Sequence, residues 1–253
     1  MDNRIEKLSQ KDIKAILRAA DSIIAQGGRS LLSKILKGSK DKKVLQLELD
    51  TCPMYGYFKS EKLDDIMKKV DWMIDHDFLE VEYFGKLPMI VYTKRGWQIE
   101  SDQYADELID EWREWVKEGE PVPDMTYLKD RDRGMILLML KKIKESGNRA
   151  FLPFLEAWEK VDYKKVRAEI KEVIHALEQQ EGIDGQASQE REVLLKEALE
   201  GSAPEDLRLK CWECGERFMF TVGEQKFYKQ KGFSLPKRCE DCRRSDDRDG
   251  WYL

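Results

Sequence analysis

At 253 residues the chain is long for one hydrophobic core and comfortable for two or three small ones. Charged residues make up 38% and hydrophobic residues 41%, and no apolar run approaches the length of a membrane span, so a membrane protein is excluded and a charge-rich one with buried cores is expected. The formal net charge of −5 is unevenly spread: residues 1–100 carry 18 Lys/Arg against 16 Asp/Glu, residues 101–205 carry 16 against 25, and residues 206–253 carry 11 against 9, which assigns any nucleic-acid site to the ends.

In chain order, Met1-Asp2-Asn3-Arg4 leads into no signal-peptide core, so a cytoplasmic protein is expected. Ile13, Ile16, Leu17, Ala20, Ile23 and Ile24 recur at helical spacing and predict a helix over 11–26, stopped by Gly27-Gly28. A second helix starts at Ser30, turns Leu31, Leu32, Ile35 and Leu36 inward, and ends at Gly38. Between Arg29 and Lys43 stand six basic residues (Arg29, Lys34, Lys37, Lys40, Lys42 and Lys43) against the single acid Asp41. Val44, Leu45 and Leu47 form a third short apolar element, and Ser60 is the expected N-cap of a helix over 61–76 with Leu63, Ile66, Met67, Val70, Met73 and Ile74 as its buried stripe. The period then changes to two: Phe78–Tyr83 alternates, Phe84-Gly85-Lys86-Leu87-Pro88 turns, and Met89–Thr93 returns as a hairpin. Three helices followed by a hairpin is the order of a winged helix, with the hairpin as wing.

The Ile35-Leu36-Lys37-Gly38-Ser39 element, the Tyr55-Gly56 turn, the helix ending in Asp77-Phe78-Leu79 and the hairpin closing on Thr93-Lys94-Arg95-Gly96 together resemble the RQC domain, the winged helix that follows the motor of RecQ-type DNA helicases. The resemblance covers roughly residues 10–100 and implies binding to duplex ends and junctions, with the wing as a strand-separating wedge. By matching position it implies that Lys37, Ser39 and Lys43 contact phosphates and that Phe84 lies at the wing tip. The motor is missing: no G-x-x-x-x-G-K-[ST] loop and no Asp-Glu-x-Asp/His box occurs.

Residues 101–200 read as an acidic helical domain. Tyr104, Leu108, Ile109, Trp112 and Trp115 share a face, Pro121-Val122-Pro123 divides this helix from the next, and apolar helices follow at 135–143, 151–158 and 166–177. Gly182–Gln189 is the expected linker, before a charged helix near 189–200 and a break at Gly201–Pro204. The tail, residues 206–253, holds Cys211-Trp212-Glu213-Cys214 and Cys239-Glu240-Asp241-Cys242, two C-x-x-C pairs separated by 24 residues. Four thiolates close a tetrahedral site with no open position, so the expected cofactor is one structural zinc ion, with redox or disulfide pairing as the alternative. The run from Cys211 to Arg244 resembles a small family of zinc ribbons.

The expected architecture is mainly α with small β: a winged helix over 1–100, a helical connector over 101–200 and a zinc ribbon over 206–253. The expected nucleic-acid contacts are Arg29, Lys37, Ser39, Lys40, Lys42, Lys43, Phe84, Lys86, Lys94 and Arg95, against the plain alternative that these are solvated turns. In the tail, Lys226, Lys229, Lys231, Lys237, Arg238, Arg243 and Arg244 offer a second basic surface. The helix at 61–76 mixes Lys62, Lys68 and Lys69 with Asp64, Asp65, Asp71 and Asp75, which argues against deep groove insertion and for recognition of DNA structure over sequence. His76 and His175 are too isolated to form a catalytic or metal site, and Cys52 reads as a small buried residue. The leading reading is a non-enzymatic bacterial DNA-binding protein acting on ends, forks or junctions in replication or repair. The alternatives are an RNA- or ribosome-associated factor, and an adaptor whose acidic middle docks a protein.

Overall fold

In a computed structural model, the structure describes residues 7–179, 185–231 and 233–249. The chain divides into two compact units, one built chiefly from Ala19–Thr93 and Gly201–Leu253, the other from Ser9–Arg18 and Lys94–Glu200. Its elements are α1 (Gln10–Asp21), α2 (Arg29–Lys37), α3 (Lys42–Gln46), α4 (Leu63–Asp75), β1 (Leu79–Phe84), β2 (Leu87–Tyr92), α5 (Lys94–Glu118), α6 (Arg133–Ser146), α7 (Leu152–Val161), α8 (Lys164–Gln179), α9 (Gly185–Glu200), β3 (Leu207–Lys210), β4 (Arg217–Phe220), α10 (Val222–Lys231) and α11 (Glu240–Asp249). The mainly helical class with two small antiparallel sheets is as expected, and among the described residues no helix is long and apolar enough to cross a membrane.

α1 stops at Asp21, short of the expected 26. The chain is needed elsewhere: Ala25 donates its N–H to the Ile90 carbonyl at 2.9 Å, and Ile90 donates to Gly27 at 2.8 Å, so residues 25–27 pair with β2. Gly28 then passes so close to β2 that a Cβ would sit 2.7 Å from the Pro88 oxygen, which no side chain tolerates. α2 ends on Gly38 at φ 72°, the left-handed cap that glycine favours. The last carbonyls of α2 are taken by the following loop: Ile35 accepts from Gly56 and Leu36 from Phe58, each at 2.9 Å.

Two expectations fail here. Of the short apolar element only Val44 is buried, while Leu45 and Leu47 are about half exposed, because five residues of α3 make little more than one turn and present one side to the core. Ser60 is not the cap of α4; the cap position is Lys62, which provides no side-chain bond, and the helix is instead anchored by Lys69, paired with Glu61 at 2.7 Å and lying over the Phe58 ring. Of the predicted stripe, Ile66, Val70, Met73 and Ile74 are buried, while Leu63 and Met67 are partly exposed. β1 and β2 pair from Leu79↔Tyr92 to Phe84↔Leu87, so the turn is only Gly85-Lys86 and the strands run longer than expected.

The second unit is organised by aromatics. Trp112 on α5 meets Phe151, Phe154 and Trp158 at ring distances of 5.7, 5.3 and 5.9 Å, and its Nε1 donates to the Tyr127 hydroxyl at 2.9 Å. Ile136, Met139 and Ile143 of α6 and Val166, Ile170 and Val173 of α8 complete this core. Residues 182–184 of the expected linker lie outside the described residues, and its remainder, from Gly185, is the start of α9 rather than a connector. Arg191 fastens that helix by donating to both oxygens of Glu145 at 3.1 and 2.6 Å.

Candidate nucleic-acid interface and metal centre

The basic residues between Arg29 and Lys43 do not all face the same way. Lys37 folds back on its own unit, donating from Nζ to the carbonyls of Lys59 at 2.6 Å and Glu61 at 2.7 Å. Ser39 accepts from the Asp41 N–H at 3.2 Å through its hydroxyl and from the Tyr55 hydroxyl through its carbonyl. Asp41 caps α3 and pairs with Lys34 at 2.8 Å, and these Lys34 and Lys43 N–H bonds hold its carboxyl below the usual range. Lys40, Lys42 and Lys43 remain exposed at the turn.

Arg29, Lys34 and Lys43 line a groove of about 680 Å³, walled by Asp71 and Asp75 of α4, by Val81, Tyr83 and Pro88 of the wing, and by Lys226 and Lys231 of α10. Each acid in that wall has a cation on it: Asp41 with Lys34 at 2.8 Å, Asp71 with Arg29 at 2.6 Å and Asp75 with Lys226 at 2.6 Å. Of the four α4 carboxylates that weigh against a phosphate neighbour in the bare sequence, Asp71 and Asp75 are therefore compensated, the second by a residue 151 positions further along the chain. At the wing tip Phe84 is 51% exposed and Lys86 is exposed beside it. Lys94 and Arg95 belong to the second unit, where Arg95 donates to the Ala198 carbonyl at 3.2 Å near the C-terminus of α9. Lys94 is exposed at the start of α5, two residues after β2 ends.

In the tail, β3 and β4 pair from Leu207↔Phe220 to Lys210↔Arg217, and the first cysteine pair lies in the turn between them. The turn is closed by Cys211 donating to Glu216 at 2.8 Å and Gly215 donating to Cys211 at 3.1 Å. Cys239 immediately precedes α11 and Cys242 lies in its first turn. All four Sγ atoms lie within 4.8 Å of one another, and Cys214 and Cys239 are 3.8 Å apart. That separation is far beyond an S–S bond of about 2.05 Å and matches the edge, about 3.8 Å, of a tetrahedron with Zn–S bonds of about 2.3 Å. Backbone N–H groups of Cys214 and Cys239 pull the Cys211 thiol down to about 6, while contact with Cys239 and burial push Cys242 up. Four thiols so placed ionise together only around a cation. The donor set and spacing fit one structural zinc ion.

Several cations of the tail serve its own fold. Arg238 pairs with Glu213 and donates to the Cys242 carbonyl, Arg243 donates to the Tyr228 hydroxyl, and Arg244 pairs with Glu240 at 2.6 Å. Lys237 lies 4.8 Å from the Trp212 ring centroid. The side chain of Lys229 lies outside the described residues.

Against models of protein families, residues 6–105 match the RQC domain and residues 205–250 match the probable treble clef domain. Neither a curated protein nor a solved structure matches the chain. The chain thus carries an RQC domain, a DNA-binding domain family, and a four-cysteine zinc domain whose ligands come from a hairpin turn and a helix N-terminus.

Proposed function

We propose that this is a non-enzymatic DNA-binding protein that grips duplex ends, forks or junctions by their phosphates and serves replication or repair in the cytoplasm or on the nucleoid. The observation that carries the reading is the groove. The α2–α3 turn, α4, the wing and α10 converge on it, its acids are each neutralised, Lys43 lines it, and Lys40 and Lys42 are exposed on the same turn. Lys40, Lys42 and Lys43 are the phosphate contacts, with Ser39 shaping their turn, Arg29 holding Asp71, and Phe84 with Lys86 meeting a terminal base pair. The absence of a nucleotide-loop motif and a motor box supports a passive role.

The test is binding of the zinc-loaded chain to blunt duplex, forked duplex and structured RNA at several salt concentrations. K40Q/K42Q/K43Q is expected to weaken binding to every DNA and to flatten log K against log salt by about 2 to 3, at about 0.9 per phosphate released. An unchanged slope overturns the assignment of these lysines. Preference for RNA, or equal affinity for forked and internal duplex, overturns the proposed ligand.

A further inference from the structure

The helical unit contains a basic cleft that its acidic balance conceals. About 470 Å³ in volume, it opens between the end of the 3-10 turn Met125–Leu128, the start of α6 and the start of α8. Lys129, Arg131, Arg133, Lys164 and Lys165 line it against one carboxylate, Asp162. That carboxylate is already engaged: Oδ2 accepts from Trp158 Nε1 and Oδ1 accepts from the Tyr163 N–H, both at 2.6 Å, and the residue is 8% exposed. Arg131 is steered by the Tyr127 carbonyl at 3.4 Å and by the Tyr104 hydroxyl. Arg133, Lys164 and Lys165 have no ion-pair partner among the described residues, so the lining itself carries an excess of positive charge, with Asp130 and Asp132 interleaved along the chain outside it.

Charge alone would suit any anion, but the other walls narrow the choice. Leu128, Ile136 and Val166 form a buried apolar floor. Tyr163 stands at the rim 59% exposed, its ring 4.8 Å from the Lys129 ammonium, and presents a π-face beside the cations. α8 begins at the cleft and adds the favourable end of its dipole for an anion, whereas the start of α6 is already capped by Asp132. The volume falls within the range of about 300 to 1,000 Å³ typical of small-ligand pockets. Phosphate-binding cations, an apolar floor and an aromatic rim are complementary to one chemical unit with a charged end and a flat ring.

We propose that this cleft binds a nucleoside phosphate, supplied either as a free nucleotide or as one unit of a single strand. The site belongs to the second unit and does not depend on the assignment made for the first.

Isothermal titration of the zinc-loaded full chain with AMP, inorganic phosphate and a short oligothymidylate tests it, using wild type, R133Q/K164Q/K165Q and Tyr163→Ala. These side chains are exposed, so zinc content and thermal melting should be unchanged in both variants. AMP or the oligothymidylate is expected to bind wild type, with about a tenfold or greater loss in the triple variant and about a fivefold or greater loss in Tyr163→Ala. Binding of AMP equal to that of the oligothymidylate identifies the free nucleotide as the source; clearly tighter binding of the oligothymidylate identifies the strand. No binding of either, equal binding in all three proteins, or phosphate binding as tightly as AMP overturns the proposal. K40Q/K42Q/K43Q should retain AMP binding whatever it does to duplex DNA, which keeps the two assignments separable.

Discussion

The winged helix and the zinc tail share one unit of the fold, yet they are held by different physics. Between Ala19 and Thr93 the side chains of Leu32, Ile35, Leu36, Val70, Met73, Phe78 and Ile90 are fully buried. In the tail Phe220 is the large apolar side chain buried to that degree among the described residues, while Trp212, Met219, Phe227, Phe233 and Leu235 are half exposed or more. Burial at about 25 cal/mol per Å² therefore accounts for the first segment and leaves the second without a sufficient core. The metal supplies the difference in the tail: structural zinc contributes on the order of 10 kcal/mol to domains of this size. The difference teaches that the same surface, with Lys226 laid against Asp75, is assembled from one part that folds by packing and one that folds by ligation.

Removing zinc breaks the comparison most directly. Chelation, or Cys214→Ser with Cys242→Ser, is expected to abolish hydrogen-exchange protection across β3, β4 and α11 while the amides of α2 and α4 stay protected. Metal analysis should find about one zinc per chain beforehand. Tail amides that remain protected in metal-free protein would show that packing suffices there after all.

A core deletion works from the other side. Leu36 is fully buried at the end of α2, so Leu36→Ala should destabilise the first unit by about 2 to 5 kcal/mol in urea titration. Zinc stoichiometry should remain unchanged, because the ligands are elsewhere. If the variant also loses its metal, the two parts fold as one cooperative block and the contrast is weaker than their burial suggests.

What could be read without coordinates followed from periodicity and from ligand spacing. The stripe of α4 and the alternation of the hairpin are short-range patterns, and two C-x-x-C pairs carry their own chemistry. What could not be read were choices made between distant residues. Ala25 leaves α1 to pair with Ile90, a competition that propensity does not register. Lys226 neutralises Asp75, and Lys129 to Arg133 meet Lys164 and Lys165 across about thirty positions in a stretch whose average charge is negative. Counting charges per segment hides both the compensated acids of the groove and the uncompensated bases of the cleft.

Lys37 gives the finest test, because family resemblance and geometry assign it different work. Its position in the RQC resemblance implies a phosphate contact, whereas its ammonium donates to the carbonyls of Lys59 and Glu61 and closes the loop leading into α4. A lysine held by two carbonyls has its charge available to the field but two of its three donors engaged. Replacing it with methionine keeps the aliphatic stem and removes both bonds, at a cost of about 1 kcal/mol for a partly exposed pair. Thermal melting should therefore fall in Lys37→Met, while log K for duplex DNA against log salt keeps its slope. A slope shallower by about 0.9 with melting unchanged would return Lys37 to the phosphate surface and make the carbonyl clamp incidental.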